Sequence, residues 1–127
     1  MLLSYVPTPE GWAALEQATR EAAWRRTDVV VVNVAPGSNA ADVTFADQKE
    51  LDAVGARLAE HDIPHTIDHV LDASDVADAV LSAADRHGVE LIVVGLRRRS
   101  AVGKALLGSN AQRIILGAQC PVLSVRP

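Results

Sequence analysis

Short β-branched runs alternate along this chain with longer segments whose apolar residues recur every three or four positions. Leu2 to Val6 reads as a short buried strand, ended by the turn Pro7-Thr8-Pro9. Glu10 to Arg26 reads as a helix, with Trp12, Leu15, Ala18, Ala22 and Ala23 near the helical period. Val29 to Val34 meets no polar residue until Asn33, the pattern of a parallel strand covered on both faces. Ala35 to Ala41, with Pro36 and Gly37, is a loop.

Thr44 to His61 predicts a second helix with Leu51, Val54 and Leu58 on its apolar face, although Gly55 weakens it. Ile63 to Leu71 predicts a third strand. Asp72 is the expected N-cap of a third helix, with Asp75 three positions on. Val76, Ala79, Val80 and Ala83 give that helix its apolar face, and Gly88 suits the residue just past its end. Leu91 to Gly95 is a further strand, and residues 96–107 form a long loop. Ser109 and Gln112 make a capping-box pattern for a helix running through Ile114 and Ile115. Pro121 to Val125 is the closing strand.

The order β-α-β-α-β-α-β-loop-α-β predicts a three-layer α/β/α fold with a five-stranded, mainly parallel sheet and right-handed crossovers. Ligands of such sheets bind beyond the carboxyl ends of the strands. Here that means the turns after Val6, Val34 and Gly95.

Composition narrows this picture. A chain of 127 residues suits one domain, taken as residues 1–127. Hydrophobic residues make up 49% but aromatic ones only 3%, so the core is expected to be aliphatic. A net charge of -4 argues against general nucleic-acid binding. The single cysteine, Cys120, forms no internal disulfide, which favours a reducing, cytoplasmic compartment. Neither a signal peptide nor a membrane-spanning run is expected.

The stretch from Gly95 to Asn110 carries the most chemistry. A glycine ends a buried strand, a basic loop follows, and Gly108-Ser109 opens a helix. A phosphate needs close backbone approach, N–H groups at a helix start and nearby cations. Arg97, Arg98, Arg99 and Lys104 are the candidate cations. The competing reading is structural: Gly95 relieves crowding, Gly108-Ser109 starts a helix, and the arginines are solvated. Gly103-Lys104 is not a P-loop, because Ala105 stands where a magnesium-binding hydroxyl belongs. His65 and His69 are four apart on a strand, roughly 13 Å, too far for one metal ion. No metal site and no acid/base carboxylate pair are predicted.

Val-Glu-Leu-Ile-Val-Val-Gly at 89–95, Leu-Leu-Gly-Ser at 106–109 and Cys-Pro-Val-Leu-Ser-Val at 120–125 resemble the C-terminal half of universal stress proteins. The fold this resemblance implies is Rossmann-like, of the adenine nucleotide alpha hydrolase type. Nucleotide-binding members carry Gly, two residues, Gly, nine residues, then Gly and Ser or Thr. Gly95 fits the first position, Gly108 and Ser109 the last two, and Arg98 stands at the second glycine. The resemblance also implies phosphate contact at the Asn110 backbone and adenine contact at the Val34 main chain. It puts Val6 where such members hold the ribose with an aspartate.

Arg98 either blocks the phosphates or replaces a backbone contact with its guanidinium. Val6 accepts no ribose hydrogen bond, so the pocket is either weakened or vestigial. The resemblance implies a stress-response protein that binds ATP or a related adenine nucleotide without committed catalysis. The alternatives are a nucleotide-free dimeric interaction module and, least supported, a small nucleotide hydrolase. It also implies a homodimer through the strand Pro121 to Val125.

Overall fold

The computed structural model describes residues 1–36, 46–97 and 107–127. The elements are β1 (Leu2–Ser4), α1 (Pro9–Arg25), β2 (Val29–Pro36), α2 (Gln48–Glu60), β3 (His65–Ala73), α3 (Val76–His87), β4 (Ile92–Gly95), α4 (Ser109–Gly117) and β5 (Val122–Val125). The strands form a five-stranded sheet in the order β3-β2-β1-β4-β5. Every pairing is parallel. This is the α/β architecture that the alternating pattern predicts.

The period of two along each strand sorts side chains between two cores. Leu3, Val31 and Val93 face one side and pack with Leu15 of α1 and Leu51 and Leu58 of α2. Leu2, Val32 and Ile92 face the other and pack with Val80 of α3 and Ile114 of α4. Each fully buried Leu or Ile contributes roughly 1.5–3 kcal/mol by leaving water. Helices α1 and α2 thus cover one face, and α3 and α4 the other. The chain winds outward from β1 through β2 to β3, then crosses to β4 and β5. The winding direction therefore reverses between β1 and β4, which opens a crevice beyond their carboxyl ends.

Several boundaries differ from the sequence-based expectation. The third helix is capped by Asp75, not Asp72: the Asp75 side chain accepts from the Asp78 N–H at 2.9 Å. β3 continues to Ala73 because it pairs with a β2 that itself reaches Pro36, with a register shift after Val34. Asp72 lies at φ 55°, a left-handed position that Asp tolerates better than most residues. Pro64 stays outside β3, its carbonyl accepting from Val29 N. α2 starts at Gln48 behind a full capping box of Asp47 and Glu50. The expected start at Thr44 lies outside the described residues.

The buried face of α1 runs through Gly11, Ala14, Leu15, Ala18 and Ala22, which leaves Trp12 at 42% exposure rather than in the core. Helix α4 is capped by Gly108 with no side-chain hydrogen bond. Ser109 is its first helical residue, so the expected Ser109-Gln112 capping box does not form. The residue before Ser109 already has the extended backbone that a cap requires, and Ser109 has turned helical.

Candidate functional site

A cleft of about 110 Å³ lies in the crevice between β1 and β4. Ser4, Val6 and Thr8 line it from the β1 side, Gly95 and Arg97 from the β4 side, and Gly108 and Asn110 from the start of α4. Val76, Val94, Ala111 and Ile114 make an apolar wall, and Glu10 adds a carboxylate.

Three helices begin at this cleft, and their starts differ in a way that matters. Thr8 caps α1, its Oγ1 accepting from Gly11 N at 3.2 Å, with Pro9 just inside the helix. Asp75 caps α3. α4 has no side-chain cap, and its first ladder bond among the described residues runs from Gln112 N to Gly108 O at 2.9 Å. The three amides ahead of Gln112 have no intrahelical acceptor. They project the positive end of the helix toward the cleft. An acceptor supplied by a ligand suits this end, and an anion suits it best.

The glycines at the site do different work. A Cβ on Gly95 would stand 2.3 Å from the Glu10 carbonyl oxygen, so this glycine lets α1 press against the end of β4. Gly11, which sequence reasoning did not single out, is tighter still: its Cβ would lie 1.7 Å from the Val6 oxygen. Gly108 is under no such pressure, because its nearest neighbours are the Arg97 guanidinium atoms, at 3.8 Å for Nε. An exposed guanidinium thus stands over the uncapped helix end.

Of the residues proposed from sequence, the structure brings Gly95, Gly108 and Asn110 together on the cleft, with Val6 and Arg97 beside them. Ser109 is exposed and does not line it. Val34 is buried in the core between the sheet and α3 and is not on the cleft. Arg98, Arg99 and Lys104 lie outside the described residues. The contributions of Val76, Ala111 and Ile114 were missed, because they depend on α3 and α4 meeting in space. Thr8 could have been found from its place before Pro9 at a helix start.

Two polar contacts fix the walls. Asn33, fully buried in β2, donates from Nδ2 to the Tyr5 carbonyl at 2.9 Å, and its Oδ1 accepts from Ala46 N at 3.1 Å. It ties the chain leaving β1 to β2 and to the approach of α2. On the other face, Arg113 of α4 donates from Nη1 to Asp75 Oδ2 and from Nη2 to Asp78 Oδ1, the latter at 3.0 Å. The Asp78 N–H first, and then Arg113, hold the Asp75 carboxyl below its ordinary pKa.

Another groove, about 670 Å³, opens at the opposite, amino end of the sheet beside Arg25, Asp28, Gly88 and Glu90. The carboxyl ends of α1 and α3 lie there. Their partial negative charge disfavours an anion, so the smaller cleft is the better candidate. Among the described residues no group of three or more His, Cys, Asp or Glu side chains could hold a metal ion. His65 and His69 both lie along the sheet-edge strand β3. Cys120 is half-buried, and burial pushes its thiol pKa up.

The fold is shared with known proteins. The profile of the universal stress protein family matches residues 4–126. The chain belongs to the universal stress protein family. A universal stress protein of Mycolicibacterium smegmatis is 38% identical over 127 residues, covering 100% of this chain and 97% of that protein. A universal stress protein structure from Archaeoglobus fulgidus superposes with a TM-score of 0.83 at 24% identity, covering 98% of this chain and 95% of that one. Another from the same organism, solved in complex with dAMP, gives 0.72 at 19% identity, covering 98% of this chain and 94% of that one. The family thus extends over both halves of the sheet, including the β1 side where the sequence motifs are least distinctive. No helix among the described residues is long and apolar enough to cross a membrane.

Proposed function

We propose that this universal stress protein binds ATP or a related adenine nucleotide in the β1/β4 cleft, with its phosphates at the amino end of α4. The observation that carries this reading is the contrast among the three helix starts at the cleft: α1 and α3 are closed by their own side chains, and α4 is not. The Gly108 and Asn110 backbones receive the phosphate, Arg97 supplies positive charge, and Gly95 lets α1 close against the β4 side of the cleft. Arg98, outside the described residues, is a further candidate cation on its sequence position alone. Ser109, at the first helical position, contributes its N–H and hydroxyl from outside the wall. Val34, inside β2 and off the cleft, would reach the nucleotide only through its main chain. The dAMP complex of the Archaeoglobus fulgidus relative supports the choice of ligand class.

A second reading has its own support. Val6 puts an apolar side chain on the cleft, and about 110 Å³ is small beside the roughly 300–1,000 Å³ of drug-sized ligand pockets. A protein of this shape that acts through assembly needs no nucleotide. β5 lies at one edge of the sheet, and Leu116 of the adjacent α4 is 77% exposed. An open edge pairs readily with another strand, which supports a homodimer through Pro121 to Val125, in the reducing cytoplasm that the single cysteine favours. Light scattering at micromolar concentration tests the dimer, and a monomer contradicts it.

Two experiments separate the readings. Protein purified without added nucleotide is denatured, and the released small molecules are read by mass spectrometry. Calorimetric titration with ATP follows. Nucleotide release, or a Kd tighter than about 1 mM, supports the binding reading. No released nucleotide and no heat at that concentration leave the interaction module.

A further inference from the structure

Helix α4 is held to α3 by apolar packing, of Ala111 and Ile114 with Ala77 and Val80, and by one polar bridge. A Cβ on Gly117 would lie 2.8 Å from Leu81 Cδ1, so the carboxyl end of α4 presses directly onto α3. Toward its amino end, α4 has no side-chain cap and follows a stretch outside the described residues. There the polar link to α3 is Arg113, whose guanidinium spans Asp75 and Asp78. Asp75 is also the N-cap of α3, and the next residue, Val76, lines the cleft together with Ala111 and Ile114 of α4. One carboxylate therefore closes the start of α3 and anchors α4.

We propose that the bridge from Arg113 to Asp75 and Asp78 positions the amino end of α4 against Val76 and so sets the width of the ligand cleft. The inference rests on the nucleotide-binding reading of that cleft. Arg113 is a positioning residue: it does not line the cleft and acts through the helix that carries Asn110. Its side chain is about half exposed, as are many surface pairs that contribute little to global stability. The geometry here is different in kind, because the two carboxylates hold the fork in one orientation. Loss of the bridge leaves α4 held to α3 by apolar packing alone, which does not fix the orientation of its phosphate-facing end as a charged fork does.

The test separates positioning from folding. Asp75→Asn keeps a good cap for α3 but removes one of the two charges that hold Arg113. Arg113→Met removes the fork and keeps the apolar stem. Each variant, and the double variant, is titrated with ATP and melted without it. The expected result is an ATP affinity about threefold to tenfold weaker in each single variant, with the double no weaker than the worse single. Tm is expected to stay near that of wild type for Asp75→Asn. Arg57→Met is the control: Arg57 joins α1 to α2 through Glu16 on the other face, and its loss should leave affinity unchanged. Single-variant affinities equal to wild type, or losses that simply add in the double variant, overturn the proposal. A wild type that binds no ATP overturns the nucleotide reading instead, before any variant is compared.

Discussion

Gly95 and Glu10 approach so closely that a Cβ on the glycine would stand 2.3 Å from the Glu10 carbonyl oxygen. Gly95 therefore answers first to packing. The carbonyl is backbone at the start of α1 and cannot swing aside. Gly95→Ala is expected to destabilise the fold by about 1–3 kcal/mol, the usual range for overpacking, and Gly11→Ala by more. Gly108→Ala should cost less, about 0.5–1 kcal/mol, because among the described residues only a movable guanidinium lies near and the loss is that of a better N-cap residue. It should nevertheless weaken ATP binding by crowding the helix end. Denaturant unfolding beside calorimetry checks the contrast, and equal stability losses at Gly95 and Gly108 would refute it.

Ser109 gives a second separation of roles. As the first helical residue it caps nothing, so Ser109→Ala should cost less than the roughly 1 kcal/mol of a lost N-cap. Ser109→Asp puts a carboxylate in the first turn, where the helix tolerates it, yet it stands against a phosphate. The expected outcome is a Tm at or above that of wild type together with loss of ATP binding. A stable Ser109→Asp protein that binds like wild type removes this helix end from the site.

The buried amide of Asn33 serves the Tyr5 carbonyl and the Ala46 N–H together. Asn33→Leu fills similar space and leaves both groups buried without this partner. Each such loss costs about 1–3 kcal/mol, so the variant is expected to be among the least stable single substitutions. A denaturation midpoint close to wild type would show that both groups find other partners.

The pH dependence of stability follows from two ion pairs. The hydrogen bond from Arg57 lowers the pKa of Glu16 from its ordinary 4.5, and the Asp78 N–H with Arg113 lowers that of Asp75 from 3.8. A depressed carboxyl contributes stability that is complete above its unfolded pKa and lost as pH falls through the folded one. Stability should thus hold near neutrality and decline through the acid range below the ordinary carboxylate values. Arg57→Met and Arg113→Met should each flatten that decline. Both pairs are partly solvated, so the effect is small. Chemical denaturation at a series of acidic pH values measures it, and unchanged slopes in both variants would contradict it.

The strands were legible because a parallel strand covered on both faces is written as an unbroken apolar run, as in Val29 to Val32. The fold class followed from their alternation with amphipathic helices. What sequence did not resolve depends on partners distant along the chain. Asp72 and Asp75 both look like caps, and the choice is made by how far β3 pairs with β2. Trp12 fits the period of α1 but falls off its buried face, which small residues occupy so that the helix can lie close to the sheet. The lining of the candidate cleft was legible at Gly95, Gly108 and Asn110, where a strand end and a helix start lie close in sequence. Its apolar wall and the Arg113 bridge were not, since α3 and α4 come together only through the fold.

The most direct test of the central claim is an amide NMR titration of isotope-labelled protein with ATP. The account predicts the largest shifts at Gly95, Arg97, Gly108, Ser109, Asn110 and Ala111, with little change around Arg25, Asp28 and Gly88 at the opposite end of the sheet. Shifts confined to that opposite groove, or no shifts at saturating ATP, would contradict it.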